Sequence, residues 1–160
     1  MNDHKNPFDT HVKDIVESKS GPPDDSTVLT AEPSTTVYEC IDRMDDRGVG
    51  SIVVMDGDEI AGIFTERDYL GSIALEGRSS KTTPVEDVMT TDVNTVQPKK
   101  PLEECLHLMT EHRFRHLPVV DENESLLGLI SIGDCVKQLV DTAHKETDQL
   151  RQYVTGTYPA

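Results

Sequence analysis

The sequence predicts an α/β (α+β) fold in which two β-α-β-β-α repeats pack with pseudo-two-fold symmetry into one module. The first observation is an internal repeat, the signature of a duplicated supersecondary unit. An offset of 65 residues aligns several pairs of identical residues, among them Pro33 and Pro98, Cys40 and Cys105, Met44 and Met109, and Asp56 and Asp121. One inserted residue changes the offset to 66, which aligns Gly62 with Gly128, Thr65 with Ser131 and Asp68 with Asp134.

The second observation is that both copies contain the same succession of apolar patterns. Each has an apolar helical stripe at spacing i, i+3, i+4, i+7, formed by Val37, Cys40, Ile41 and Met44 and by Leu102, Cys105, Leu106 and Met109. Paired β-rich runs separated by turns follow, at 51–55 and 60–64 and at 116–120 and 126–130. Second helices are expected over about 66–76 and 132–142, with the last helix extended by the tail.

The repeat also predicts the domain organisation. The N-terminal tail is 1–11, repeat 1 is 12–76, the linker is 77–84, repeat 2 is 85–143, and the C-terminal helix extension and tail is 144–160. A unit of about 55 residues is small for burying its own helices. Two units that share a core leave a cleft between them, and such clefts are natural ligand sites.

Composition argues against several functional classes. The net charge of -15 disfavours general binding to nucleic acids or to anionic membranes, because it repels their phosphates. The first residues contain no apolar run typical of a secretory signal, and three widely spaced cysteines do not suggest a disulfide framework. We therefore expect a cytoplasmic protein that binds neither nucleic acid nor membrane.

The most specific motif occurs twice, as GIFTERD (62–68) and GLISIGD (128–134). Thr65 and Ser131 end a strand, and their hydroxyls can donate to a phosphate. Asp68 and Asp134 lie in the first turn of the next helix, and an ionised carboxylate can accept hydrogen bonds from the two hydroxyls of a ribose. The alternative is that both pairs only cap their helices.

A basic cluster in the second repeat is the other candidate feature. Arg113, Arg115 and His116 stand out in an acidic chain and are candidates for phosphate contacts, although a solvated surface is the simpler interpretation. Arg67, beside Asp68, is a further candidate. Repeat 1 has Gly50 and Ser51 where repeat 2 has Arg115 and His116, so the two clefts are predicted to differ.

The motifs RHLPVVD (115–121), TERD (65–68) and SIGD (131–134) resemble those of the cystathionine β-synthase (CBS) domain family, arranged as a tandem pair or Bateman module. The resemblance covers roughly residues 10–143. It implies a non-catalytic regulatory module that binds AMP, ADP, ATP, NAD or S-adenosylmethionine between the repeats. It further implies a homodimer that signals to an unidentified partner protein. The alternative is an interaction scaffold with vestigial clefts, for example a regulator of a redox enzyme such as thioredoxin.

The resemblance also suggests roles for individual residues. Ribose would bind Asp68 and Asp134, and phosphate would contact Thr65, Ser131, Arg115 and His116. Adenine would lie near Thr90 and Pro118. Lys19 is the candidate in the lead-in of repeat 1, where the lead-in is the stretch before the first strand of a repeat, starting at residue 12 in repeat 1 and at residue 85 in repeat 2. Arg67 completes the predicted nucleotide-binding set.

Neither a catalytic site nor a metal site is predicted. The sequence has no nucleophile elbow, no phosphate-binding loop ending in Gly-Lys-Ser/Thr, and no His/Cys pair at zinc-finger spacing. Cys40 and Cys105 occupy core positions of their helices, whereas Cys135 is expected to be more exposed, with a redox role as an open alternative. We therefore expect no enzymatic activity, no metal and no catalytic cofactor.

Overall fold

In a computed structural model, which describes residues 9–19 and 28–155, each repeat contributes its own small sheet. The elements up to the linker are α1 (Val12–Ser18), β1 (Thr30–Ala31), α2 (Val37–Arg47), β2 (Ser51–Asp56), β3 (Glu59–Thr65), α3 (Glu66–Asp68) and a π-helical segment (Tyr69–Ala74). Those after it are a 3-10 helix (Val85–Asp87), α4 (Leu102–His112), β4 (His116–Val120), β5 (Leu126–Ser131) and α5 (Ile132–Thr155).

The first sheet has the order β1-β2-β3, with β1 parallel and β3 antiparallel to β2. The second sheet is the antiparallel pair β4-β5, in which His116 lies opposite Ser131. Val96 forms an isolated parallel bridge to Val119. Because the 65-residue offset places Val96 on Ala31 of β1, the first strand of repeat 2 is reduced to this bridge.

The helices before β2 and β4 begin and end at equivalent positions. Thr36 caps the start of α2, because its hydroxyl accepts a hydrogen bond from the Glu39 amide. Gly48 caps the end of α2 in the left-handed conformation with φ 64°. α4 starts after Pro101 and ends at Arg113, which is also left-handed with φ 59°. Each helix buries three residues of its predicted apolar stripe, Val37, Cys40 and Met44 in α2 and Leu102, Cys105 and Met109 in α4. The fourth residue of each stripe, Ile41 or Leu106, is partly buried.

Two apolar cores lie beneath the sheets, and each combines residues from both halves of the chain. Val12 and Ile15 of α1 belong to the core formed by α4, β4, β5 and α5. Val85, at the start of the second half, belongs to the core formed by α2, β2 and β3. Each lead-in segment therefore crosses over and packs on the other repeat.

The second helices of the two repeats differ in length and type. In repeat 1, the helix expected over 66–76 is one α-helical turn that continues as the π-helical segment. In repeat 2, α5 extends to Thr155, so the tail extends the last helix as predicted, and residues 156–160 lie outside the described residues. None of the helices in the described ranges has the length and apolarity to cross a bilayer.

The expected exposure of Cys135 was wrong. Cys135 is fully buried on the face of α5 that packs against the core containing Cys105. Burial, reinforced by the nearby Cys105 and Asp134, raises the pKa of the Cys135 thiol to about 12. The thiol is therefore protonated at neutral pH, which is typical of a structural cysteine.

Candidate functional site

The motif residues at the end of β3 form a capping box. The Thr65 hydroxyl accepts a 3.3 Å hydrogen bond from the Asp68 amide, and Oδ2 of Asp68 accepts a 3.0 Å bond from the Thr65 amide. At the end of β5, the Ser131 hydroxyl accepts from the Asp134 amide at 3.1 Å, and Oδ2 of Asp134 accepts from the Ser131 amide at 2.8 Å. The capping interpretation is therefore correct for both copies.

The capping hydrogen bonds do not use all the acceptor sites of the Asp68 and Asp134 carboxylates. A carboxylate has two oxygens and about four lone-pair sites. The backbone bond of the capping box uses Oδ2 in both Asp68 and Asp134. Oδ1 of each carboxylate remains open to a further donor, and in Asp68 that donor comes from the other repeat.

Thr90, in the lead-in of repeat 2, contacts the motif of repeat 1. Its hydroxyl lies 3.3 Å from Oδ1 and 3.4 Å from Oδ2 of Asp68. The backbones of Thr90 and Ile63 exchange two 2.9 Å hydrogen bonds, which fix the lead-in beside β3. Gly62 permits this approach, because a Cβ there would lie 2.8 Å from the Thr90 carbonyl oxygen.

Lys19 makes the reciprocal contact. It follows α1 in the lead-in of repeat 1, and its ammonium donates to Oδ2 of Asp134 at 2.6 Å and to the Leu129 carbonyl at 3.1 Å. Each candidate site thus combines the motif of one repeat with the lead-in of the other, so the crossed packing of the cores also assembles the sites. The two clefts are not equivalent, because Asp68 meets a neutral hydroxyl and Asp134 meets a cation.

A cavity of about 610 Å³ surrounds Asp68. Six predicted site residues line it: Thr65, Arg67, Asp68, Thr90, Arg115 and His116. The other three predicted residues with a contact, Lys19, Ser131 and Asp134, meet at the second cleft. Pro118 is buried in β4, outside the residues that line this cavity, and its carbonyl accepts a hydrogen bond from the Val96 amide.

The cavity has lining residues that the predicted set omitted. Arg113 is one, although it was a candidate for phosphate contacts in the basic cluster, and Asp92 and Asn94 of the repeat 2 lead-in are others. Arg113 carried a detectable signal, because the 65-residue offset places it on Gly48. Asp92 and Asn94 follow Thr90 closely in the chain, yet no pattern in the sequence placed their segment against repeat 1.

His116 lies where the two clefts approach each other. It lines the Asp68 cavity, while Asp134 of the other cleft and Glu66 also act on its charge. Burial lowers the pKa of His116 below its ordinary value and outweighs the opposite effect of the two carboxylates. The imidazole is therefore neutral at pH 7, with one ring nitrogen able to donate and the other able to accept.

The Asp134 carboxylate is held in its ionised form. Partial burial alone would raise its pKa, but the hydrogen bonds from Lys19 and from the Ser131 amide together lower the pKa of Asp134 below its ordinary value. Within the described ranges, no group of three or more His, Cys, Asp or Glu side chains is arranged to hold a metal ion. The clefts therefore offer carboxylate acceptors, hydroxyls and guanidinium groups.

The class of protein follows from comparison with known families. A family model described as the CBS domain matches the chain over residues 12–75 and again over residues 85–141. The chain therefore belongs to the CBS-domain family and carries a tandem pair of these domains. The predicted resemblance and the predicted fold class are both confirmed.

Individual relatives agree with this assignment. CBS domain-containing protein CBSX3, mitochondrial, of Arabidopsis thaliana is 38% identical over 154 residues, which cover 93% of this chain and 74% of the plant protein. A solved protein with CBS domains from Burkholderia ambifaria is 48% identical with a TM-score of 0.76, covering 82% of this chain and 95% of that one. A CBS domain protein from Pyrobaculum aerophilum, solved in complex with AMP, has the same fold at 20% identity and a TM-score of 0.66, covering 78% and 89%.

Proposed function

We propose that this chain is a non-catalytic regulatory module that binds an adenosine nucleotide, AMP, ADP, ATP or NAD, between its CBS repeats and signals to a partner protein. The observation that carries the proposal is the crossed site at Asp68. There the motif of one repeat, the lead-in of the other and the basic residues before β4 line one cavity of about 610 Å³. A volume of this size falls within the range of ordinary small-molecule sites.

The residues match the parts of a nucleotide. Oδ1 of Asp68 can accept from ribose hydroxyls once Thr90 turns its hydroxyl away, since the capping bond uses Oδ2. Arg67 and Arg115 provide guanidinium groups that bind phosphate oxygens in pairs. Ile63 and Val93 offer apolar surface for a base. AMP in the fold relative from Pyrobaculum aerophilum supports the same ligand class.

Isothermal titration with AMP, ADP, ATP, NAD and S-adenosylmethionine tests the proposal. We expect at least one of them to bind, with Asp68→Ala and Asp134→Ala each weakening one cleft about tenfold or more, because a charged acceptor is lost. Asp58→Ala is the matched control, since Asp58 is an exposed carboxylate in the β2–β3 turn. Absence of binding by all five ligands, or wild-type affinity in both cleft variants, would overturn the proposal.

Signalling requires a ligand to bind two conformations with different affinity. A ligand that contacts both a motif and the lead-in of the other repeat can do this, because relative movement of the repeats changes Asp68 and Thr90 together. Chemical crosslinking or small-angle scattering with and without ligand measures the movement. Identical conformations in both states would oppose a conformational signal.

The exposed helical face supports a homodimer. Leu70 of the π-helical segment and Val136 of α5 are equivalent under the 66-residue offset and are 60% and 48% exposed. Leu75 and Val140, on the same two segments of the chain, are also exposed apolar side chains, and burying such side chains in an interface would be favourable. We expect Leu70→Glu to shift a dimer to monomer in sedimentation velocity. Leu127→Glu, at a similarly exposed site in β5, is expected to leave the dimer intact.

The second candidate function is an interaction scaffold with vestigial clefts, such as a regulator of a redox enzyme. Two observations favour it: both motifs act as capping boxes, and Lys19 already occupies the Asp134 carboxylate. Affinity capture of partners from a lysate with and without ATP separates the functions, because a scaffold captures the same partner in both.

We place the protein in the cytoplasm, and fractionation of its native cells tests this against the mitochondrial location named for the plant relative.

A further inference from the structure

Arg113 has an unusual backbone conformation for its residue type. It ends α4 in the left-handed region with φ 59°, at the position where Gly48 ends α2 with φ 64°. The following amides are bonded alike: Val49 donates to the Met44 carbonyl and Phe114 donates to the Met109 carbonyl. The two turns are therefore copies of one motif. Glycine adopts this conformation without steric cost, whereas an arginine does not.

The strained turn borders the Asp68 cavity. Arg113 lines this cavity together with Arg67 and Arg115. Nη1 of Arg67 donates a 3.2 Å hydrogen bond to the Arg113 carbonyl, which ties the turn of repeat 2 to α3 of repeat 1. Among the described residues, no carboxylate lies within ion-pair distance of the Arg113 guanidinium. Its charge is therefore not used by an internal salt bridge.

The charge of the cavity is balanced only with Arg113 present. Of the residues that the structure describes, three arginines line it, and so do three carboxylates, Glu66, Asp68 and Asp92, while burial keeps His116 neutral at pH 7. Without Arg113 the lining would carry a net negative charge in a chain whose net charge is already -15. A ligand with several phosphates would then be repelled more than one with a single phosphate.

The number of guanidinium groups also exceeds what one phosphate can use. Each guanidinium can bind two phosphate oxygens side by side. A terminal monophosphate has three free oxygens, so it cannot satisfy three arginines in this way. A diphosphate or triphosphate chain has more free oxygens and more charge, and it suits a cavity lined by Arg67, Arg113 and Arg115.

Building on the proposed nucleotide site, we infer that Arg113 is a specificity-determining residue that makes the Asp68 cleft prefer ligands with two or more phosphates over monophosphates. Glycine at this position would relieve the backbone strain and remove the charge. The Arg113→Gly variant is therefore expected to be more stable than wild type and yet to bind polyphosphates less well.

Three substitutions at Arg113 test the inference, with titration of adenosine, AMP, ADP and ATP and with thermal unfolding. Arg113→Gly removes strain and charge, Arg113→Asn removes the charge and tolerates the left-handed conformation, and Arg113→Lys keeps both. For Arg113→Gly we expect a melting temperature higher by about 3 °C. We expect its ADP and ATP affinities to fall about tenfold, with adenosine and AMP changed less than about twofold. The lysine variant keeps the charge but not the paired hydrogen bonds, so we expect its ADP and ATP affinities to lie between those of wild type and of Arg113→Asn.

The controls distinguish the possible failures. Arg78→Gln removes one exposed positive charge outside the cavity and is expected to leave every affinity unchanged. Equal losses for all four ligands, or unchanged ATP binding in Arg113→Gly, would overturn the specificity role while leaving nucleotide binding established. Wild-type protein that binds none of the four ligands would instead contradict the proposed function and, with it, the specificity role of Arg113.

Discussion

The ammonium group of Lys19 lies 2.6 Å from Oδ2 of Asp134 and joins the end of α1 to the start of α5. The two residues come from different repeats, so this ion pair holds one lead-in against the motif of the other repeat. It also occupies the carboxylate that is the candidate ribose acceptor of the second cleft. A ligand that uses Asp134 must therefore bind through Oδ1 or displace Lys19 from Oδ2.

We expect Lys19→Met to raise the pKa of Asp134, since the Lys19 hydrogen bond and charge help to lower it against the effect of burial. A depressed folded-state pKa stabilises the fold above the unfolded value of about 3.9, and this contribution is lost as the pH falls through the folded pKa. The stability change at pH 7 should be only about 0.2–1 kcal/mol, because the Lys19 side chain is 47% exposed.

Carbon-detected NMR titration of the Asp134 carboxyl measures the pKa directly, and urea unfolding at pH 7 and pH 3 measures the stability. Lys13→Met is the control, since Lys13 is an exposed lysine on α1 and forms no ion pair with Asp134 within the described part of the chain. An Asp134 pKa that is the same in Lys19→Met and in wild type would contradict the prediction.

The sequence predicted the repeated elements well because periodicity reports which face of an element is apolar. Cys40 and Cys105 are buried where the helical stripe placed them, and Thr65 and Ser131 end their strands as expected. Periodicity does not report which core an apolar face joins. The runs VKDIV (12–16) and VEDVM (85–89) resemble each other and align Val12 with Val85. That each of these residues joins the core of the other repeat depends on how the chain crosses over in space.

Because sequence periodicity does not show how the chain crosses over, it also did not show which candidate residues share a site. The offset revealed both capping motifs, but the pairing of Thr90 with Asp68 follows from the crossed lead-ins. The exposure expected for Cys135 was wrong because its position after Asp134 says nothing about the direction in which α5 faces. Arg113 was visible in the alignment with Gly48, yet its left-handed conformation becomes evident only from the backbone angles.

His116 provides a pH-dependent prediction. Burial lowers its folded-state pKa below the unfolded value of about 6.5, so the unfolded chain takes up the proton first as the pH falls. The stabilising contribution is therefore complete above about pH 6.5 and is lost as the pH falls through the folded pKa. We expect His116→Gln to reduce the loss of stability between pH 8 and pH 5.5, measured by urea unfolding.

The control for this prediction is His107→Gln, since the His107 side chain is 79% exposed on α4. It should retain the wild-type dependence of stability on pH. If His116→Gln instead lost as much stability as wild type over the same interval, the neutral buried state of His116 would be refuted.

The three thiols are expected to be unreactive in the folded protein. Burial is the largest cause that raises the pKa of Cys40 and of Cys105 to about 11 and that of Cys135 to about 12. Only the thiolate is strongly nucleophilic, so iodoacetamide at pH 8 should modify all three slowly until the chain is unfolded in guanidinium. Mass spectrometry of the time course measures this, and a cysteine in native protein that reacts as fast as a free peptide thiol would contradict it.

Gly62 and Gly128 test whether the crossed lead-in needs glycine in the motif. A Cβ at Gly62 would lie 2.6 Å from Sδ of Met89 and 2.8 Å from the Thr90 carbonyl oxygen, so the backbone of the lead-in would have to move. A Cβ at Gly128 would come no closer than 3.3 Å, to a methyl group of Val16. We expect Gly62→Ala to lower the free energy of unfolding by about 2 kcal/mol, and Gly128→Ala by less than about 1 kcal/mol.

The two substitutions form a matched pair, because each reduces the conformational entropy of the unfolded chain by the same amount and this contribution cancels in the comparison. Urea unfolding measures both variants. Since Gly62→Ala displaces Thr90 from Asp68, it should also weaken ligand binding at the Asp68 cleft, whereas Gly128→Ala should leave that cleft unchanged. Equal stability loss in the two variants would show that the approach of Thr90 to β3 does not depend on the missing side chain, and the account of how the crossed site is assembled would have to change.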